Sequence, residues 1–294
     1  MSERLSVLKT YKLFIGGKFP RTESGRSIKV ADASGSVVAH TCRSSRKDLR
    51  NAVEAAEKAQ PGWASANAYL RGQILYRMAE MLEGKRDELA AAISITGKVG
   101  KDAALAEMDA SVDRLVAFAG WADKYPQILG CHNPVTGPYY NFSVPEPTGV
   151  VGVVCPDEPS LLGLVSLVAP VICSGNAVVL LASETNPIPA CVLAEVLATC
   201  DLPGGVVNIL TGLRDELVEH FATHRAIAGV FAAGVSDEHR TALEAGAAEN
   251  MKRVQVLDLG PDLAAGFADD SAMESPWVIE PFVETKTIWH PVSS

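Results

Sequence analysis

The sequence has 294 residues, of which 48% are hydrophobic and 21% are charged, so the chain can bury a sizeable core and does not belong to the disordered class. Its formal net charge is -9, and no Lys/Arg cluster interleaves with aromatic residues, which argues against nucleic acid as a partner. The longest apolar stretch, residues 161–173, is too short to span a bilayer and is interrupted by Gly163 and Pro170, so we expect no membrane insertion.

The first half of the sequence is predicted to be largely helical. Apolar residues recur with helical spacing from Tyr69 to Thr96, and Gly97 ends that pattern. An alanine-rich stretch from Asp48 to Ala59 is expected to stop short of Pro61, because proline removes a helical hydrogen bond. The predicted elements of this half are a strand and Gly-Gly turn over 12–19, short strands and turns over 22–46, helices over 48–59, 69–96 and 102–124, and a loop over 126–138.

Residues 150–184, in the middle of the chain, predict a βαβ unit. Residues 150–154 and 177–181 are short, apolar and rich in β-branched residues, which is typical of parallel strands buried on both sides. The apolar segment between them has the length of a crossover helix. Pro187 to Cys200 then predicts a second helix, and Val206 to Leu210 predicts a third strand.

The remaining elements complete the prediction of an α/β fold. Residues 228–231 and 253–259 predict further strands, with a helix over about 237–250 between them. Residues 139–147 and 282–290 alternate in polarity, and each predicts an amphipathic strand. Together these elements predict a doubly wound, mainly parallel sheet.

Several polar residues are weighed as site candidates and interpreted as inert. The six cysteines form no CxxC motif, which favours reduced core thiols in a cytoplasmic protein. Cys155 precedes Asp157 and Glu158, whose carboxylates would raise the pKa of a nucleophile, so we predict an unreactive thiol. The two acidic residues are expected to form a solvated loop rather than an acid–base pair. His220 and His224 have i, i+4 spacing, but without a recognisable third ligand we predict no metal site.

Four segments in order along the chain resemble the aldehyde dehydrogenase superfamily. They are residues 119–125 (AGWADKY), 146–154 (EPTGVVGVV), 175–180 (GNAVVL) and 202–209 (LPGGVVNI). The resemblance runs from about residue 12 to 260 and resumes at 282–290. It implies an NAD-binding domain and a protruding antiparallel β-arm that mediates oligomerisation.

The resemblance implies a degenerate cofactor site. The matching positions are Pro156, Glu184, Phe231 and Gly234. The family's oxyanion-binding Asn matches Glu158, and its ribose-binding Lys matches Leu181. Asp237 and Glu238 would place negative charge at the helix N-terminus that holds the pyrophosphate in the family. We therefore expect no cofactor, or weak NAD binding, with Glu184 as either a residual ribose ligand or a surface carboxylate.

The resemblance also predicts that the catalytic residues are absent. The family's general-base Glu matches Asp258, and its nucleophilic cysteine lies further on, inside a separate catalytic domain. In this sequence no cysteine follows Cys200, and Pro261 is followed by a short acidic stretch and then the C-terminal strand. The pattern resembles the non-catalytic second half of the long, family-sixteen type of aldehyde dehydrogenase.

These comparisons predict the domain organisation and an interface. Residues 1–138 and 148–262 would form the NAD-binding-like domain, 139–147 with 282–294 the β-arm, and 263–281 a linker in place of the catalytic domain. The arm would use an alternating strand for pairing, although a simple edge strand in the chain's own fold is the alternative. The predicted interface residues are Tyr140, Phe142, Thr285, Thr287, Ile288 and Trp289.

Three functions are compatible with these features. The leading hypothesis is a non-catalytic subunit that pairs with a full-length aldehyde dehydrogenase, with a homodimer forming when the chain is alone. The alternative is a homo-oligomeric module that retains weak NAD binding. The third, an active NAD(P)-dependent dehydrogenase, lacks both a nucleophile and an oxyanion donor.

Overall fold

A parallel sheet of five strands lies at the centre of the computed structural model, which describes residues 7–292. The predicted domain and arm ranges extend to residues 1–6 and 293–294, and those ends lie outside the described residues. The elements before the sheet are β1 (Lys9–Thr10), β2 (Ser27–Ala31), β3 (Val37–Cys42), α1 (Arg46–Ser65), α2 (Ala68–Glu83), α3 (Arg86–Ser94), α4 (Lys101–Trp121), α5 (Tyr125–Leu129), β4 (Cys131–Asn133) and β5 (Tyr139–Pro147). The elements that follow are β6 (Val150–Val154), α6 (Leu162–Cys173), β7 (Ala177–Leu181), α7 (Ile188–Leu197), β8 (Val207–Leu210), α8 (Arg214–Thr223), β9 (Gly229–Ala233), α9 (Asp237–Asn250), β10 (Arg253–Leu257), α10 (Leu263–Phe267), α11 (Asp270–Met273), two 3-10 turns (Pro276–Val278 and Glu280–Phe282) and β11 (Val283–Pro291).

The central sheet is covered by helices on both faces. Its strand order is β10-β9-β6-β7-β8, and every neighbouring pair is parallel. The core on one face contains residues of α2, α3, α4, α6 and α7, and the core on the other contains residues of α1, α8 and α9. Every residue of β6 and β7 is buried, as their apolar sequences predict. The doubly wound α/β fold is therefore confirmed.

A separate antiparallel sheet is built from β11, β5 and β4, in that order. β11 pairs with β5 along its whole length, from Val283 opposite Pro147 to Pro291 opposite Tyr139. Asn176 ties the base of this sheet to the core, because its Nδ2 donates to the Phe282 carbonyl at 2.8 Å and its Oδ1 accepts the Gly149 N–H at 2.8 Å.

Three local predictions in the first half are wrong. α1 continues through Pro61 to Ser65, because the next turn carries Trp63, which is buried and donates from Nε1 to the Ile172 carbonyl at 2.8 Å. Burying an indole stabilises by an amount comparable to the proline penalty of about 3 kcal/mol. The single helix predicted over 69–96 is two helices, separated at Gly84, and the loop predicted over 126–138 contains α5 and β4.

Candidate functional site

The parallel strands end at a crevice where the strand order reverses. From β6 the chain passes through β7 to β8, and then returns to add β9 and β10 on the other side of β6. Ligands of doubly wound folds bind outside the carboxyl ends of the strands at such a reversal. We call this region the crevice and define it by the segments that follow four strands: residues 155–161 after β6, 182–185 after β7, 211–214 after β8 and 234–236 after β9.

A buried arginine joins the loops on the β7 and β8 side of the crevice. Arg214 donates from Nη1 to Asp157 Oδ2 at 2.8 Å and from Nη2 to the Cys155 carbonyl at 2.8 Å. Asp157 Oδ1 also accepts the backbone N–H groups of Glu184 at 2.8 Å and Thr185 at 3.1 Å. Burial acts to raise the pKa of Asp157, but Arg214 and these donors hold it below its ordinary value. The prediction of a solvated loop is therefore wrong in part for Asp157, whose side chain is 35% exposed but is held by Arg214 and two backbone N–H groups.

Glu184 lies beside this network with its carboxylate already engaged. Its Oε2 accepts the backbone N–H of Arg214 at 2.9 Å, at the first residue of α8. Leu181, at the end of β7, is completely buried and presents no polar group to the crevice. The structure thus gives Glu184 a partner within the protein, and its predicted contact with a ribose stays a prediction.

Two acidic side chains meet under the loop after β6. Both carboxylate oxygens of Glu158 are buried, and neither has a hydrogen-bond partner. Glu107 of α4 is 9% exposed, and its Oε1 accepts the N–H groups of Leu161 at 2.6 Å and Leu162 at 3.2 Å. Burial, followed by the charge of Glu107, raises the pKa of Glu158 to about 7, although Lys98 opposes the shift. A solvated position is therefore wrong for Glu158 as well.

Side chains of α10 lie against the other half of the crevice. A methyl group built on Gly234 would stand 3.0 Å from both Leu263 Cδ1 and Pro156 Cβ, so these residues converge on one point. A methyl group on Gly163 would stand 2.5 Å from Pro156 Cγ and 3.6 Å from the ring of Phe267, which is completely buried. The structure therefore brings predicted site residues Pro156 and Gly234 together, with apolar side chains from 263–267 on top of them.

Arg114 anchors the segment that carries these side chains. Its side chain is fully buried in α4, where Nη1 donates to Ser166 Oγ at 2.6 Å and Nη2 to the Phe267 carbonyl at 2.9 Å. Nη2 also contacts Asp270 Oδ1 at 3.1 Å, and Nε lies 3.5 Å from Glu274 Oε1. The stretch predicted as a linker is thus folded and fixed to the core.

The β9 side of the crevice is also occupied by contacts within the protein. Phe231 is buried, and its ring centroid lies 4.8 Å from that of Phe282. At the start of α9, Ser236 Oγ accepts the N–H of His239 at 3.2 Å, and Asp237 and Glu238 occupy the first turn. The helix N-terminus therefore carries the negative charge that the sequence predicts.

Neither Cys155 nor any metal-binding cluster among the described residues equips the crevice for catalysis. Cys155 is completely buried, and burial raises its pKa to about 12, so it holds no thiolate at neutral pH. No group of three or more His, Cys, Asp or Glu side chains within 7–292 has the geometry to hold a metal ion. In the same range, no helix combines the length and the apolarity required to cross a bilayer.

The six predicted interface residues divide between the two faces of the antiparallel sheet. Because β11 and β5 pair in register, one face carries three of them together with His132, whose ring stacks on that of Tyr140 at 4.8 Å. The three on this face are Tyr140, Phe142 and Ile288. The other face carries Thr285, Thr287 and Trp289. Trp289 is 58% exposed, and Thr287 Oγ1 lies 2.9 Å from Ser143 Oγ.

Comparisons with known proteins identify the family to which this α/β fold belongs. Residues 20–273 match the model of the aldehyde dehydrogenase family. The chain belongs to the aldehyde dehydrogenase family. It is 33% identical over 272 residues to cytosolic aldehyde dehydrogenase 1 of Elephantulus edwardii, a match that covers 90% of this chain and 54% of that protein. It is also 33% identical to retinal dehydrogenase 2 of Mus musculus, covering 91% and 52% of the two chains. The solved NAD+ complex of a Bacillus cereus aldehyde dehydrogenase aligns with a TM-score of 0.80 at 27% identity, covering 84% of this chain and 50% of that one.

The chain spans about half the length of the curated aldehyde dehydrogenases that it matches. Between β10 and β11 it has only residues 258–282, a stretch far shorter than a domain. Aldehyde dehydrogenases bind NAD(P), and in this chain Leu263 lies against Gly234 at the end of β9, where a Cβ on Gly234 would stand 3.0 Å from Leu263 Cδ1.

Sequence reasoning missed the residues that organise this site. Arg214, Glu107 and Arg114 are charged side chains whose partners come from distant parts of the chain, so local patterns do not reveal them. The positions of Leu263 and Phe267 could have been predicted, since apolar residues with i, i+4 spacing are typical of a helix with a buried face.

Proposed function

We propose that this chain is a non-catalytic aldehyde dehydrogenase family member that pairs with a catalytically complete aldehyde dehydrogenase in the cytoplasm. The observation that carries the proposal is β11, a nine-residue strand that forms the outer edge of the antiparallel sheet. The arm's residues 282–292 follow directly on the segment anchored to the crevice. The chain therefore contributes packing surfaces rather than chemistry.

The edge position of β11 supports pairing with another chain. Among the described residues, only β5 pairs with β11, so the other edge of β11 has N–H and C=O groups available for a further strand. Strand addition gives affinity through the main chain and specificity through alternate side chains. The exposed indole of Trp289 and the aromatic face formed by Tyr140 and Phe142 provide those side chains.

The chemistry of the crevice supports the absence of catalysis by this chain. Cys155 is buried with a raised pKa, and Glu158 replaces the amide that the family places at the oxyanion. A catalytic role would need a group that touches the reacting atoms, and the crevice offers apolar side chains at that point. The alternative, a homo-oligomeric module with weak NAD binding, is favoured by the likeness to a solved NAD+ complex.

Co-expression with candidate aldehyde dehydrogenases tests the proposal. We expect the intact chain to co-purify with a complete dehydrogenase, and we expect Trp289→Lys combined with Ile288→Lys to abolish the association. Tyr76→Lys is the matched control, since Tyr76 is a 52% exposed aromatic residue of α2 in a different part of the surface. If the arm variant associates as well as the control, the arm is not the interface and the proposal fails.

A further inference from the structure

We propose that residues 263–282 are a built-in occupant of the crevice, so that a dinucleotide binds there only if this segment is displaced. The proposal concerns the chain by itself and does not depend on pairing with a dehydrogenase. It rests on where α10 lies, how the segment is fixed, and how the remaining polar groups of the crevice are engaged.

The apolar half of the crevice is filled by α10. Leu263 lies against Gly234, at the turn where β9 passes into α9, and a Cβ placed on Gly234 would stand 3.0 Å from both Leu263 Cδ1 and the Cβ of Pro156, directly after β6. Phe267 is completely buried next to Gly163, in the first turn of α6. These contacts lie at the reversal of strand order, which is the place where doubly wound folds bind nucleotides. The segment therefore excludes a ligand by volume.

Hydrogen bonds and buried side chains attach the segment to the core. Arg114 holds the Phe267 carbonyl from within the core, and Trp121 Nε1 donates to the Glu274 carbonyl at 2.7 Å. Met273 and Ile279 are buried at 2% and 0% exposure and join the same core as the sheet. Displacing the segment would expose these side chains, so a ligand has to offset that cost before it binds.

In the polar half of the crevice, on the β7 and β8 side, the charged side chains are already paired or hydrogen-bonded within the protein. Arg214 is paired with Asp157, and Glu184 accepts the N–H of Arg214. Asp157 Oδ1 in turn accepts two backbone N–H groups of the loop after β7. A dinucleotide would have to replace these hydrogen bonds, since buried donors and acceptors are costly to leave unpaired. The apolar half of the crevice therefore opposes a ligand by the volume that α10 occupies, and the polar half opposes it by hydrogen bonds that are already made.

Weakening the segment tests the proposal, because two occupants of one crevice compete. The variants are Leu263→Ala and Leu263→Ala combined with Phe267→Ala, and the control is Trp277→Ala, which removes an aromatic side chain of the same segment that is 58% exposed. Hydrogen exchange is followed at residues 157–164 and 232–238, and NAD affinity is measured by calorimetry. We expect faster exchange in the Leu263 variants and a gain in NAD affinity of about 5-fold or more over both the wild type and the control.

Two results would overturn the proposal. It fails if NAD binds the wild type while residues 263–273 keep their protection, because ligand and segment would then coexist. It also fails if the variants show faster exchange at the crevice but unchanged NAD affinity. Leu263 is only partly buried, so Leu263→Ala carries the test alone if the double variant does not fold.

Discussion

The guanidinium group of Arg214 is bonded to the loop that follows β6, with Nη1 2.8 Å from Asp157 Oδ2 and Nη2 2.8 Å from the Cys155 carbonyl. Arg214 is the first residue of α8, which follows β8, so these bonds link the end of β8 to the end of β6. In the sheet, β7 lies between those two strands. Among the described residues, Asp157 is the only acidic side chain paired with the guanidinium group of Arg214. The pair therefore has consequences for stability that can be measured.

We expect Asp157→Ala to lower the free energy of unfolding by about 2–3 kcal/mol, because it leaves the Arg214 charge buried without its partner. The loss is smaller than for a fully buried pair, since the Asp157 side chain is 35% exposed. Urea denaturation measures it. Because the pKa of Asp157 is lowered in the folded state, the difference between wild type and variant should shrink as pH falls below its ordinary value of 3.8.

Asp109→Ala is the matched control for that pair. Asp109 receives two hydrogen bonds at 2.7 Å from Arg86, but the two side chains are 50% and 37% exposed. Exposed pairs of this kind contribute about 0.2–1 kcal/mol, so the control should have a small effect. Equal losses in the two variants would contradict the assigned burial of Arg214.

Glu158→Gln should stabilise the protein at pH 8 by about 1–3 kcal/mol and have little effect at pH 4. The folded-state pKa of Glu158 is raised to about 7, so the native state binds more protons than the unfolded state between about pH 4.5 and 7. Its contribution to stability is therefore present at low pH and is lost as pH rises through 7. Thermal or urea unfolding across this range measures the effect.

Glu244→Gln serves as the control for Glu158, because Glu244 is exposed on α9. It measures what the same substitution does at an exposed position, so that the effect particular to Glu158 can be read as the difference between the two variants. A Glu158 variant that matches this control at every pH would show that the carboxylate is solvated in the protein.

Thiol labelling should distinguish one cysteine from the other five. Cys131 is exposed, whereas Cys42, Cys155, Cys173, Cys191 and Cys200 are buried. We expect one rapid equivalent with a colorimetric disulfide reagent, its loss in Cys131→Ser, and reaction of the remaining thiols only on unfolding.

The isolated chain should not reduce NAD with simple aldehydes, because its buried Cys155 holds no thiolate. Turnover that disappears in Cys155→Ala would contradict this expectation and would also show that Cys155 is reactive in the folded protein.

Arg114→Ala should destabilise the protein by about 3–5 kcal/mol and speed proteolysis within residues 260–275, because it removes the buried anchor of α10. Arg114→Lys should recover only part of the loss, since an ammonium group cannot reproduce the forked hydrogen bonds. Arg77→Ala, which removes an exposed helical pair with Glu80, is the control. Unchanged proteolysis in the Arg114 variants would show that the segment is held by other contacts.

The sequence predicts the central sheet well because its signals are local. Fully apolar runs such as 150–154 and 177–181 predict buried parallel strands, and the structure confirms them. Errors occur where a distant contact outweighs a local preference. Pro61 predicts a helix end, but the hydrogen bond from Trp63 to Ile172 extends the helix beyond it.

The candidate site was less accessible to prediction for a related reason. Asp157 and Glu158 are adjacent and identical in charge, so the sequence suggests one shared solvated environment. In the fold, one carboxylate meets Arg214 and has a lowered pKa, and the other lies near Glu107 and has a raised pKa. Those partners come from α8 and α4, and only the tertiary structure specifies them.

We expect the pairing of β11 with β5 to form late in folding. Val283 pairs with Pro147, so the antiparallel sheet joins residues about 140 positions apart, and the loop that it closes contains the whole central sheet. Closing so long a loop costs conformational entropy, which is recovered only once the intervening chain is compact. In the folded structure the Phe282 carbonyl, directly before β11, accepts a hydrogen bond from Asn176 Nδ2. The β11 edge would then be complete only in a chain whose interior is compact, so the proposed contact would be open only to fully folded chains.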